Sequence, residues 1–250
     1  MAVVTLLLQA DVADLADPNC WEPYINQTLN IINADKSNYQ IRNAHAHAIN
    51  ARPVACARQC AEACEKFDRH DKVELLLASP LRRALQTCAL SFAPCVERGL
   101  KIVALPMAEE ASSAPCDTGS DLEVLQSEFP DKVDFDHVKE GWWLHEGEYA
   151  TDPRALNARA AKLRRFIRDR PEKEVVLVSH GFFNHYLTGD VNDKGEQTTL
   201  WWQETELRSF IFVDGSETAT IKETEASMLL KGTPDDALKI NRPDQRDKSS

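Results

Sequence analysis

Four short segments of the chain hold residue types that can bind an anion and move a proton. Two carry an arginine, Arg42 and Arg83, one carries the acid Glu110, and one carries His180. Arginine donates fork-shaped pairs of hydrogen bonds that match the oxygens of a tetrahedral anion, whereas a carboxylic acid can protonate a leaving group. Together these residues predict a pocket for a small anionic metabolite that carries phosphate or carboxylate.

Each of the four residues ends or follows a segment with the pattern of a strand. These segments are Tyr39–Ala44, Val73–Ala78, Leu100–Leu105 and Val175–Ser179. The last is apolar on both faces, as a central parallel strand must be. Because open α/β sheets bind ligands at the carboxyl ends of their parallel strands, we expect the four residues to converge there. The alternative for His180 is a plain structural role as a cap at the end of its strand.

Helical patterns separate the predicted strands, at residues 53–67, 80–92, 121–128 and 153–168. This alternation predicts an α/β fold whose mostly parallel sheet is covered by helices on both faces. Thr205–Val213 alternates as a later strand, and Thr218–Lys222 is expected to pair with it as a hairpin.

The chain is long enough for one domain with additions at both ends. We predict the domain over residues 38–222, after an N-terminal extension, 1–37, that packs on it. Within that extension Val3–Gln9 is a candidate strand. Residues 223–250 are predicted to form a polar C-terminal tail.

Charge and composition exclude several classes of partner. The net charge of −11 argues against nucleic acid or an anionic membrane surface, and no run of 18 apolar residues could span a membrane. The apolar N-terminus lacks a basic segment, so a signal peptide is not expected. The cysteine count is odd, and Cys56, Cys60 and Cys64 recur on one helix face, which is more typical of packing than of zinc ligands. We therefore predict reduced thiols and a cytoplasmic protein, with a homodimer as a candidate assembly.

Three motifs resemble the histidine phosphatase superfamily, in its phosphoglycerate-mutase-like branch. They are the segment Ser79–Thr87, the loop Ala114–Ser120 after Glu110, and Val178–Gly181, within a resemblance from about Tyr39 to Val213. The resemblance implies a three-layer α/β/α sandwich with a phosphate pocket of Arg42, Arg83 and His180. It also implies that Glu110 is the proton donor, although Glu109 lies beside it, and that no metal or cofactor is needed.

The chain departs from this family at the position of the nucleophile. Where the family has a histidine that is transiently phosphorylated, this sequence has Asn43, and an amide nitrogen has no available lone pair. Three interpretations stay open. The pocket has been adapted to binding or to acid/base chemistry, such as dehydration, isomerisation or cyclisation; or His45 or His47 has replaced the nucleophile; or the chain is an engineered inactive variant.

Other residues are expected to contact the substrate, and they lie around the same motifs. They are His45, Asn50, Ser112, Gly181 and Trp142. Trp142 belongs to a segment, residues 139–152, that could close over the pocket as a lid, or else serve as a packing anchor. His45-Ala-His47 could instead hold zinc, but the arginines already supply positive charge, so we predict that no metal binds.

Overall fold

The computed structural model describes residues 2–8 and 57–230, and its centre is a seven-stranded sheet. The strands are β1 Val3–Leu8, β2 Leu75–Ala78, β3 Ile102–Ala104, β4 Val133–Asp134, β5 Glu174–Ser179, β6 Leu207–Phe212 and β7 Ile221–Glu223. They lie in the order β4-β3-β2-β5-β1-β6-β7. The first five in that order pair in parallel, whereas β6 runs antiparallel to β1 and β7 antiparallel to β6.

Helices lie on both sides of this sheet. The described part of helix α1 covers residues 57–66. The others are α2 Arg82–Ser91, α3 Ala93–Glu97, α4 Leu122–Glu128, α5 Pro153–Arg168, α6 Gly181–Thr188 and α7 Glu225–Leu230. One apolar core lies between the sheet and α5 with α6, and a second lies between the opposite face and α1, α2 and α4. The predicted three-layer α/β/α sandwich is therefore confirmed. In the part of the chain described, no helix is long and apolar enough to cross a membrane.

Strand β5 shows why the centre of the sheet is so apolar. Val175 and Leu177 face one core while Val176 and Val178 face the other, and all four are buried. Side chains alternate between the two faces of a strand, so a strand covered on both sides must be apolar throughout. This burial fixes the end of β5, and thereby the position of His180.

Helix α5 begins and ends where the sequence predicts. The side chain of Asp152 accepts hydrogen bonds from the backbone N–H groups of Arg154 and Ala155, and Pro153 occupies the first turn. Both features stabilise a helix N-terminus, because the first N–H groups have no partner within the helix. The hairpin is also confirmed, as β6 and β7.

The structure differs from the sequence prediction at both ends of the domain. The candidate strand at Val3–Gln9 is confirmed as Val3–Leu8, but it lies inside the sheet, between β5 and β6, and not in an extension that packs on the domain. At the other end, Glu225–Leu230 form α7 after β7, and the Ser227 hydroxyl of this helix accepts the N–H of Ser209 on β6. The predicted strand Tyr39–Ala44 lies outside the described residues.

Candidate active site

The carboxyl ends of the parallel strands bring three of the predicted residues to one edge of the sheet. Helix α2 and Arg83 follow β2, the loop with Glu110 follows β3, and His180 follows β5. The last described residue of β1, Leu8, pairs with Ser179, the residue before His180. Ser179 donates its hydroxyl hydrogen to the carbonyl of Ala108 at 2.8 Å, which ties the end of β5 to the loop that leads to Glu110.

His180 is fully buried between β5 and α6, and its side chain makes no capping hydrogen bond to that helix. Its Nδ1 lies 3.2 Å from an Nη2 of Arg83. A guanidinium can only donate, so Nδ1 must be the acceptor and Nε2 carries the hydrogen of the neutral ring. Burial, followed by the charges of Arg83 and Arg159, holds the pKa of His180 well below its usual range. Its buried Nε2–H has no hydrogen-bond acceptor among the described residues.

Arg83 is held in place by the loop Pro115–Ser120. Its guanidinium donates to the carbonyl of Cys116 and, at 2.7 Å, to the carboxylate of Asp117, in addition to His180. Asp117 also accepts the hydroxyl hydrogen of Ser112, which fixes the carboxylate in turn. These contacts use three of the five guanidinium N–H groups. Two remain for a ligand, counting partners in the described part of the chain.

Glu110 places its carboxyl group at the beginning of α6. One oxygen accepts the N–H of Ala111 at 2.8 Å and that of Phe183 at 3.0 Å. Burial and the neighbouring Asp117 raise the pKa of Glu110, while the two N–H groups and Arg83 lower it by less. A carboxyl group that keeps its proton nearer to neutral pH is suited to act as a general acid.

Glu109, next to Glu110 in the sequence, lies in a different environment, inside the domain. Its side chain is fully buried and pairs with Arg159 at 2.6 Å. Burial raises the pKa of Glu109, although the charge of Arg159 acts against this rise. Since Glu109 is committed to a buried ion pair, the geometry favours Glu110 as the acid that meets a substrate.

The segment of residues 139–152 is anchored to the domain by Trp142. Only 4% of Trp142 is exposed, and its indole N–H donates to the carbonyl of Ser120 at 3.2 Å. The ring covers Gly119, where an added Cβ would lie 2.2 Å from Trp142 Cζ2. Trp142 is thus a packing anchor, the second of its two predicted roles, and its contact with a substrate stays a prediction.

We expect Gly119→Ala to destabilise the chain because the new methyl group must displace the Trp142 ring. Overpacking of this kind costs about 1–3 kcal/mol, which lowers the melting temperature of a domain of this size by about 2–4 °C per kcal/mol. Thermal unfolding followed by circular dichroism measures the change. Ser120→Ala is the matched control, since it keeps the carbonyl that Trp142 uses. A melting temperature unchanged by Gly119→Ala would contradict this packing.

Five predicted site residues belong to the segment between β1 and α1. Arg42, Asn43, His45, His47 and Asn50 lie outside the described residues, so their convergence with His180 stays a prediction. Of the other residues expected to contact substrate, Ser112 lies beside Asp117, and Gly181 begins α6.

Sequence reasoning missed two residues that organise the site, Asp117 and Arg159. The available signals were an acid within a loop of small residues and an arginine on the apolar stripe of α5.

The chain is similar in sequence to known proteins. The sequence profile of the histidine phosphatase superfamily (branch 1) matches residues 37–220. A probable phosphatase of Schizosaccharomyces pombe is 30% identical over 112 residues, which cover 44% of this chain and 51% of that protein. The chain therefore spans about half the length of this curated relative.

Two solved structures resemble the chain at low sequence identity. YhfR of Bacillus stearothermophilus has a TM-score of 0.52 at 14% identity, covering 90% of this chain and 96% of its own. The ecdysone phosphate phosphatase of Bombyx mori, in complex with tungstate, has a TM-score of 0.51 at 11% identity, covering 84% and 89%. These likenesses confirm the phosphoglycerate-mutase-like fold. Because the profile match spans well over half of the sequence, the chain belongs to the histidine phosphatase superfamily, branch 1.

Proposed function

We propose that this chain is a phosphatase-type enzyme that hydrolyses the phosphate monoester of a small anionic metabolite. Arg83 and His180 bind the phosphate group, and Glu110 donates the proton to the leaving oxygen. The observation that carries the proposal is the hydrogen bond of Arg83 to buried His180, which directly precedes α6. The Glu110 carboxyl group is bound to the N–H of Phe183 in the first turn of that helix. The phosphatase name of the Schizosaccharomyces pombe relative supports the same reaction class.

In the described residues, the positive charge and the hydrogen-bond donors are already held in place by the fold. The free N–H groups of Arg83 and the Nε2–H of His180 can bind phosphate oxygens, and the N-terminus of α6 adds its positive dipole end. Donors fixed in advance by a folded scaffold stabilise the charge that develops on a transferring phosphoryl group. Asp117 and the Cys116 carbonyl hold Arg83 in that position before any ligand binds.

Proton transfer falls to Glu110 in its protonated form. When the ester P–O bond breaks, the leaving oxygen takes the proton of Glu110. A water molecule supplies the oxygen that phosphorus gains, and a proton of that water returns to the Glu110 carboxylate. The raised pKa of Glu110 keeps part of the carboxyl population protonated as the pH approaches neutrality. The sequence offers Asn43 at the position of the nucleophile, so we expect hydrolysis by the chain as written to be slow.

Asn43 also favours a second function, acid/base chemistry that needs no nucleophile at that position. A neutral His180 with a neighbouring raised-pKa carboxyl group could exchange protons with a non-phosphorylated carboxylate substrate, in a dehydration, isomerisation or cyclisation. Such an enzyme would bind phosphate as a competitor but would release none from any ester. Loss of turnover without loss of binding in Glu110→Gln would separate this function from that of a simple binder.

Substitution of Arg83 tests the anion site itself. We expect Arg83→Met to weaken the binding of inorganic phosphate, measured by isothermal titration calorimetry, by about tenfold to 100-fold, because a charge-assisted hydrogen bond contributes about 1.5–3 kcal/mol. Arg82→Met is the control, since Arg82 pairs with Glu128 at 2.6 Å. Equal loss in both variants, or none in Arg83→Met, would contradict the proposed site.

A further inference from the structure

The buried stripe of α5 contains one charged residue. Its members are Leu156, Arg159, Ala160, Leu163 and Ile167, and Arg159 is only 2% exposed. Burial of a guanidinium costs several kcal/mol unless it is paired and hydrogen-bonded. The groups that Arg159 binds must therefore explain why the stripe is interrupted by an arginine at this place.

In the described part of the chain, all the hydrogen bonds of Arg159 go to Glu109 and Glu110. Its Nη1 donates to the Glu109 carboxylate at 2.6 Å. Its Nη2 donates to the carbonyl of Glu109 at 3.1 Å and to that of Glu110 at 3.0 Å. These two carbonyls lie on either side of the Glu110 Cα, so one guanidinium holds the backbone of Glu110 from both directions.

Phe183 connects this clamp to the Glu110 side chain. The guanidinium carbon of Arg159 lies 4.4 Å from the centre of the Phe183 ring, and the N–H of Phe183 binds the Glu110 carboxyl group at 3.0 Å. A guanidinium over an aromatic ring is an attractive contact. Arg159 binds the backbone of Glu110 and packs on Phe183, and Phe183 binds the Glu110 carboxyl group. Both parts of Glu110 are thus held against the first turn of α6, the turn that follows His180.

We propose that Arg159 is a positioning residue for proton donation, which holds Glu110 against the N-terminus of α6 at the distance that a leaving group requires. The proposal rests on the phosphatase function proposed above. Arg159 touches neither His180 nor Arg83 among its hydrogen bonds, and acts through Glu110. Its fork of N–H groups is the feature that matters, because a lysine carries its charge on one nitrogen and lacks the two planar nitrogens that reach the carboxylate and the two carbonyls from separate positions.

The choice of leaving group distinguishes such a role from general support of the fold. An alkyl phosphate releases a strongly basic alkoxide and needs the proton, whereas nitrophenolate leaves from 4-nitrophenyl phosphate without one. General acid catalysis contributes about 10²–10⁴-fold, so we expect Arg159→Met to lower kcat for an alkyl phosphate by about 100-fold, with a much smaller loss for the nitrophenyl ester. Arg159→Lys should show the same selective loss.

Arg164 provides a matched control from the same helix. It also donates to backbone carbonyls, those of Tyr186 and Leu187, but at the far end of α6. We expect Arg164→Met to affect both esters equally. Equal losses for both esters in Arg159→Met, at matched thermal stability, would overturn the proposal.

Amide hydrogen exchange tests whether Arg159 positions Glu110, and this measurement does not depend on enzymatic activity. We expect Arg159→Met, but not Arg164→Met, to lose protection at the N–H groups of Ala111 and Phe183, which the Glu110 carboxyl group now covers. Retained protection at both would overturn the proposal whether or not the chain is a phosphatase. If protection is lost but the chain releases no phosphate, the positioning role of Arg159 is supported and the proposed phosphatase function is contradicted.

Discussion

Asn43→His should raise the rate of phosphate release from phosphate monoesters by several orders of magnitude. The imidazole nitrogen can attack phosphorus and carry it as a covalent intermediate, whereas the lone pair of an amide nitrogen is delocalised. In a protease where it has been dissected, loss of the nucleophile lowered kcat by about a million-fold, which bounds what a restored histidine could recover. The measurement is inorganic phosphate release by the purified chain and its variant, with mass spectrometry to find phosphohistidine at position 43.

His45→Ala and His47→Ala are the controls for this experiment. If neither histidine is the nucleophile, each variant should keep the Asn43→His gain. If the chain as written already hydrolyses esters quickly, and one of these variants abolishes that activity, the nucleophile has moved to the substituted histidine. If Asn43→His gains nothing, the pocket serves other chemistry, and proton transfer on a non-phosphorylated substrate becomes the better account.

Glu110→Gln should lower the hydrolysis of alkyl phosphates by about 10²–10⁴-fold, since the amide cannot donate the proton that the leaving oxygen needs. The pH profile gives a second expectation with a definite sign. Only protonated Glu110 is active, and its pKa is raised, so activity should be full on the acid side and fall as the pH rises through that pKa. The variant should lose this alkaline limb, as kcat measured across the pH range will show.

Glu109→Gln is the matched control, one residue away. Because Glu109 is buried with Arg159 and not at the open edge, its amide should lower stability by leaving the Arg159 charge unpaired. The alkaline limb should remain. An alkaline limb that disappears in Glu109→Gln and persists in Glu110→Gln would assign the proton donor to the neighbouring residue.

The sequence predicted those parts of the fold that depend on local patterns. Helix α5, with its capping Asp152, and the hairpin of β6 and β7 each have signals within a few residues. The convergence of Arg83, Glu110 and His180 followed from one topological fact, that parallel strands end at the same edge. No local signal showed that Val3–Leu8 belongs in the middle of the sheet, because its partners on β5 are about 170 residues away.

The supporting residues of the site could not be predicted for the same reason. Asp117 and Arg159 have meaning only through groups that the fold brings to them, namely Arg83 and the backbone of Glu110. Trp142 is similar, since only the structure shows that its ring covers Gly119. A residue's type restricts the chemistry it can do, but its partners in space decide which role it performs.

The most direct test of the account is a crystal structure of the full chain grown with orthovanadate, a mimic of the transferring phosphoryl group. We expect the oxyanion within hydrogen-bond distance of the free N–H groups of Arg83 and of His180 Nε2, with the Glu110 carboxyl group on the side of the leaving oxygen. An oxyanion bound elsewhere, or no oxyanion at this edge of the sheet at saturating concentration, would contradict the assignment of this site.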